Sequence, residues 1–190
     1  MLVSTIAAAL GCACSDRDGP AYDWPDDAQP QVELSTDYSF LRRPLSTPEI
    51  AELWDSLPFD RIELARTTCL GTCPDYTVTY FRGSGEPFEA PAVYEGRDFV
   101  DRVGSFDGGV TLTQFGRLCE MIEQFGFFEL REAYALMGTD APTAVVTVDY
   151  VDGAYAVRDY GLVGPPELAA IQFAIDAVAA EIEWTPATDE

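Results

Sequence analysis

Ala144-Val145-Val146-Thr147-Val148-Asp149-Tyr150, then Val151-Asp152-Gly153, then Ala154-Tyr155-Ala156-Val157-Arg158-Asp159-Tyr160 is the stretch that decides the fold. Two runs rich in β-branched and aromatic residues flank a turn containing Asp-Gly, which predicts a β-hairpin. Pro165-Pro166-Glu167 follows and opens a helix, because proline near the first helical position loses no hydrogen bond there. The apolar positions of this last helix are Leu168, Ile171, Phe173, Ile175, Val178 and Ile182, and it runs out near Trp184.

Working back from the hairpin, Thr111-Leu112-Thr113-Gln114 has capping-box spacing. Leu112, Phe115, Leu118, Cys119, Ile122 and Phe125 then recur every three or four residues, which places them on one helical face, and Gly126 is a fitting stop. Residues 61–66 alternate polar and apolar, as a half-buried strand does. Asp75-Tyr76-Thr77-Val78-Thr79-Tyr80-Phe81 predicts a second strand, and Arg82-Gly83-Ser84-Gly85 a turn. Residues 88–94 and 97–103 are weaker strand candidates. Ser46-Thr47-Pro48-Glu49 offers another capping box, for a short helix over 48–57 that buries Ile50, Leu53 and Trp54. Helices that do not alternate strictly with strands predict the α+β class. The expectation is an antiparallel sheet of five to six strands with two or three helices mainly on one face.

The chain of 190 residues suits one domain. With 47% hydrophobic and 12% aromatic residues it can bury a core. The formal net charge of −22 disfavours nucleic acid and anionic lipid surfaces and speaks for solubility. The sequence contains no His, Lys or Asn, and every basic residue is Arg. Imidazole bases, His metal ligands, Ser-His-Asp triads, Schiff-base lysines and the phosphate-loop lysine are therefore excluded.

At the N-terminus, residues 2–10 are apolar and too few to span a bilayer, but they suit a secretory signal. Ala9-Leu10-Gly11-Cys12-Ala13-Cys14 resembles the lipobox of bacterial lipoproteins, with Cys12 as the lipidation candidate and Cys14 as the alternative. Residues 15–45 carry Asp16, Asp18, Asp23, Asp26 and Asp27, several prolines and no periodicity, as an acidic flexible linker does. The expected organisation is a signal segment over 1–14, a linker over 15–45, one α+β domain over 46–184 and a frayed tail over 185–190. The expected setting is export, with membrane attachment only through an N-terminal lipid.

The most specific local motif is Arg66-Thr67-Thr68-Cys69-Leu70-Gly71-Thr72-Cys73-Pro74-Asp75-Tyr76. Together with Thr139-Asp140-Ala141-Pro142 and the 150–153 turn it resembles the DUF6438 family, a domain of unknown function. That family's signature is Cys-x-Gly-x-Cys-Pro-x-Tyr at the start of a strand, then Thr-Asp-x-Pro, then a terminal helix ending near Trp. The resemblance spans residues 61–184, with Leu70 standing where an aromatic is expected. It implies a domain boundary and an exported context, and carries no activity.

Cys69 and Cys73 allow a structural disulfide in an oxidising compartment, a soft-metal site, or a redox pair. Two sulfurs leave a zinc site half filled without His, and catalytic dithiols usually sit two residues apart at a helix N-terminus. Gly71 suits the tight turn between them. Arg66, Gly71, Tyr76 and Asp140 are the supporting candidates around Cys69 and Cys73. Asp140 is expected either to form an Asx turn or to aim its carboxylate at the cysteine loop, onto Arg66 or Tyr76. Cys119 is expected to be a core residue. No cofactor, metal or catalytic set is assigned. The functional expectation is a monomeric, lipid-tethered, non-catalytic envelope domain that binds another protein or a small ligand. The alternative is a thiol-redox or soft-metal protein built on Cys69 and Cys73.

Overall fold

Eight strands and three helices make up the domain, seen in a computed structural model that describes residues 46–83 and 89–188. Among these residues the order is α1 (Thr47–Ser56), β1 (Phe59–Thr67), β2 (Asp75–Phe81), β3 (Glu89–Asp98), β4 (Gly104–Thr111), α2 (Leu112–Gln124), β5 (Ala133–Ala135), β6 (Thr143–Tyr150), β7 (Gly153–Tyr160), α3 (Pro166–Glu181) and β8 (Thr185–Pro186). The strands form one sheet in the order β5-β7-β6-β1-β2-β3-β4-β8. The α+β class holds. Cys12, Cys14, the signal segment, the linker and part of the 82–85 turn lie outside the described residues.

The strand expectation needs correction in three places. The sheet has eight strands rather than five or six, and it is mixed, because β5 runs parallel to β7 while the other pairs are antiparallel. β5 is only Ala-Tyr-Ala, too short to show an alternating pattern. Residues 97–103 are not a strand: β3 continues to Asp98, the chain reverses through Phe99 at φ 54°, and β4 starts at Gly104. β4 contains Gly104, Gly108 and Gly109, which depletes it of the side chains that mark strands. The expected tail also begins as structure, since Thr185 and Pro186 pair with Asp107 and Phe106 of β4.

One face of the sheet carries the core. Ile62, Leu64, Val78, Tyr80, Ala92, Val146, Val148 and Val157 are all buried, and their cross-strand registers put them on the same side. Each fully buried Ile, Leu or Phe contributes about 1.5–3 kcal/mol. The opposite face is polar. There Arg61 bridges Asp149 of β6 at 2.8 Å and Glu63 at 2.9 Å, and Thr79 donates to Glu63. One dry and one wet face is the usual condition of an antiparallel sheet.

α2 and α3 lie over the dry face. Thr111 caps α2 through the Gln114 backbone, and Gln114 returns the bond to the Thr111 N–H. Phe115, Leu118, Cys119 and Ile122 are buried, as the spacing predicts. α1 inserts Trp54 against Phe115, with ring centroids 6.1 Å apart, and the Trp54 indole N–H donates to the Gly83 carbonyl. In α3, Leu168, Ile171 and Ile175 are buried, but Phe173 is 77% exposed. Phe173 lies two positions from both Ile171 and Ile175, a spacing that turns it to the opposite side of the helix.

Candidate functional site

β1 and β2 are joined by the cysteine loop, which closes as a disulfide between Cys69 and Cys73, with Cα atoms 5.5 Å apart. Gly71 at its tip has φ +152°, a conformation that favours glycine, and its N–H donates to the Cys69 carbonyl at 2.9 Å. The Leu70 N–H donates to the backbone carbonyl of Asp140 at 3.0 Å. The 139–142 segment therefore lies beside the cysteine loop, but through its main chain. The Asp140 carboxylate accepts from the adjacent Thr139 hydroxyl and contacts neither Arg66 nor Tyr76. It forms no Asx turn either.

Arg66 and Tyr76 are brought together by the β1–β2 register, where they sit directly opposite. The Arg66 Nε donates to the Tyr76 hydroxyl at 3.0 Å. Their shared partner is a residue that sequence reasoning missed, Asp176 on α3. It accepts from Arg66 at 2.7 Å and from the Tyr76 hydroxyl. One signal could have exposed it: between Glu167 and Glu181, Asp176 is the sole charged residue of the helix. Burial, and then the Asp176 carboxylate, push the Tyr76 phenol well above its ordinary value, with Arg66 pulling the other way. Burial opposes the charge on Arg66, yet Asp176 and Tyr76 outweigh it and hold the guanidinium charged. The trio fastens α3 across β1 and β2.

Beside the trio lies a cleft of about 280 Å³, lined by Pro74, Tyr76, Tyr94, Phe99, Val100, Asp101, Arg102, Asp176, Ala179, Ala180 and Trp184. Tyr76 stacks on Tyr94 with centroids 5.4 Å apart, and Trp184 leans on Tyr94 at 5.6 Å. The turn from Phe99 to Val103 forms one wall. It folds back so closely that a Cβ on Gly96 would stand 1.8 Å from the Arg102 carbonyl oxygen, so only glycine fits there.

The cleft opens at the end of the sheet that also carries the cysteine loop. Registers Arg66↔Tyr76, Asp75↔Asp98, Gly96↔Gly104, Thr67↔Thr143, Thr143↔Tyr160 and Ala135↔Tyr160 align the loops after β1, β3, β5 and β7 along that edge. Seven of the ten exposed large apolar side chains among the described residues occur in those loops: Leu70, Phe99, Val103, Leu136, Met137, Leu162 and Val163. Phe99, Asp140 and Leu162, the non-glycine residues with positive φ among those described, are there too. Such backbone outliers gather at binding and switch regions.

The profile of the family described as a domain of unknown function (DUF6438) matches residues 60–179. The chain belongs to this family. The match takes in the disulfide loop, the Arg66–Tyr76–Asp176 trio and most of the cleft, and it stops short of Trp184. No curated protein and no solved structure matches the chain.

Chemically, the site offers little reactive equipment. The cysteines of the loop are joined, and Cys119 is fully buried, with burial pushing its thiol well up. Among the described residues no group of three or more His, Cys, Asp or Glu is placed to hold a metal ion. Among them, too, no helix is long and apolar enough to cross a membrane.

Proposed function

We propose that the chain is an exported, lipid-tethered domain of the bacterial cell envelope, with a non-catalytic role in binding a protein or a small ligand. The observation that carries the binding role is the row of exposed apolar side chains in the loops along one end of the sheet, where Phe99 also lines a cleft. Soluble domains rarely gather exposed apolar groups in one place without a partner for them. The export and tether rest on the apolar 2–10 segment, Cys12 or Cys14, and the acidic run after them. A disulfide closed in a partly exposed loop suits an oxidising compartment.

The Cys69–Cys73 bridge serves, in this reading, to hold the shape of the loop that meets Asp140. Two measurements test the proposal. Palmitate labelling of the full chain in bacterial cells should give a lipidated product that Cys12→Ala removes; loss only in Cys14→Ala would move the anchor, and no label in any variant would overturn the tether. Intact mass of the purified chain after glutathione and alkylation should show a closed bridge without bound metal. Ready alkylation of both thiols, or a stoichiometric metal, would favour a thiol-redox or soft-metal role for Cys69 and Cys73. Turnover in a broad hydrolase and oxidoreductase screen would overturn the non-catalytic role.

A further inference from the structure

We infer that the cleft between the β3–β4 turn and α3 binds a small zwitterion with an apolar side chain, of the α-amino acid class. This deepens the binding role proposed above and rests on it. At about 280 Å³ the cleft is close to the lower end of ordinary small-ligand pockets. Three of its aromatic side chains are already packed against one another through the Tyr76–Tyr94 and Tyr94–Trp184 contacts. A ligand meeting that surface finds rigid apolar area with little ordering left to do.

The polar groups narrow the class. Tyr94 is only 8% exposed, yet its hydroxyl has no hydrogen-bond partner among the described residues. The phenols of Tyr80, Tyr155 and Tyr160, by contrast, each donate to a backbone carbonyl. No fully enclosed polar side-chain atom of the described residues lacks a partner, so the Tyr94 oxygen is not fully enclosed, and Tyr94 lines the cleft. It is an open hydrogen-bonding position in an otherwise satisfied interior.

The charges point to both signs at once. Asp101 and Arg102 are neighbours on the turn, both line the cleft, and neither has an ion-pair partner among the described residues. Across from them Asp176 is held by Arg66. Asp101 and Arg102 thus bring one carboxylate-bearing and one guanidinium-bearing residue to the rim of the cleft, close enough for both to act on the Tyr94 phenol, with no ion pair among the described residues taking either up. A guanidinium receives a carboxylate through two parallel N–H bonds, and a carboxylate receives an ammonium group. A simple anion would meet the field of a chain with net charge −22, whereas a zwitterion carries no net charge for that field to repel. A simple cation would leave Arg102 unanswered. The apolar side chain then lies on the rings of Trp184 and Phe99.

Calorimetry with the purified full chain tests this against four probes: L-phenylalanine, phenethylamine, 3-phenylpropionate and methyl β-glucoside. L-Phenylalanine should bind at or below about 1 mM and at least about tenfold more tightly than the amine or the acid, as expected when each charge adds a charge-assisted bond. Tyr94→Phe, which keeps the ring packing, should weaken it about fivefold. Arg102→Gln, at an exposed position, should erase the preference for L-phenylalanine over phenethylamine. Binding of the glucoside, the amine or the acid in preference to L-phenylalanine would overturn the zwitterion while leaving a binding domain. Absence of binding by all four up to about 10 mM, or L-phenylalanine binding unchanged in both variants, would overturn the assignment of this cleft. The lipidation and alkylation measurements above are independent of either result.

Discussion

Tyr76 of β2 donates its phenolic proton to Asp176 of α3, one hundred residues further along the chain. Arg66 completes the contact from β1, and its side chain is 16% exposed against 31% for Asp176. Removing the carboxylate leaves a largely buried guanidinium without its counter-charge. Asp176→Ala should cost about 2–3 kcal/mol, the partial exposure of Asp176 taking it below the range of fully buried pairs. Tyr76→Phe should cost about 1 kcal/mol. Urea denaturation of both single variants and the double should give less than the sum, because the two changes remove one shared bond.

Alkali should unfold the domain early. Tyr76, Tyr80 and Tyr94 all have their phenols pushed above their ordinary value of 10.0, chiefly by burial. Above that value the unfolded phenols ionise while the folded ones keep their protons. The folded state then binds more protons, so stability falls as pH rises, whereas below it the contribution is fully present. Tyr80, fully buried, costs about 1.4 kcal/mol per pH unit, and the less enclosed Tyr76 and Tyr94 phenols cost less. Denaturation at a series of pH values from neutral to strongly alkaline measures the slope, and Tyr80→Phe should lower it by one proton. An unchanged slope in that variant would contradict the burial of Tyr80.

The β3–β4 turn depends on Gly96. Alanine there would force its Cβ into the Arg102 carbonyl, and a backbone atom cannot swing aside as a flexible side chain does. Gly96→Ala should cost on the order of 2–4 kcal/mol and displace the wall carrying Phe99, Asp101 and Arg102. Amide exchange across residues 96–104 reads that displacement directly, and native protection there would refute it.

Asp159 is 2% exposed and accepts from the Val163 and Gly164 N–H groups at 2.8 and 2.9 Å and from Gln172 at 3.3 Å. It shapes the passage from β7 into α3. Asp159→Ala strands two backbone donors and should cost about 2–4 kcal/mol, against less than about 0.5 kcal/mol for Phe173→Gln on the exposed side of the same helix. Thermal unfolding of the pair checks both values.

Much of this architecture was legible because its signals are local. The 144–160 hairpin, the Thr111 cap and the α2 stripe each depend on residues within a few positions of one another. β4 and β5 were not legible, since glycine and a three-residue run leave no pattern to count. Phe173 misled because hydrophobicity alone does not say which side of an apolar helix faces the sheet. At the candidate site, Arg66, Tyr76 and the cysteine pair were visible in the sequence as one motif. Asp176 was not, because its meaning comes from where α3 is laid across the sheet. Asp140 was placed beside the right loop with the wrong group doing the contacting. Main-chain contacts of that kind leave no trace in side-chain chemistry.

Trp184 and the short β8 pairing have a practical consequence for anyone cutting the chain into a minimal domain. The family match ends at residue 179, inside α3, but Ile182 and Trp184 pack over Gly108, and Thr185 and Pro186 clip onto β4. A fragment trimmed at the family boundary would lose the last two residues of the helix together with Ala180 and Trp184 of the cleft. A fragment that keeps these contacts extends at least to Ala187, whose N–H still donates to the Ser105 carbonyl.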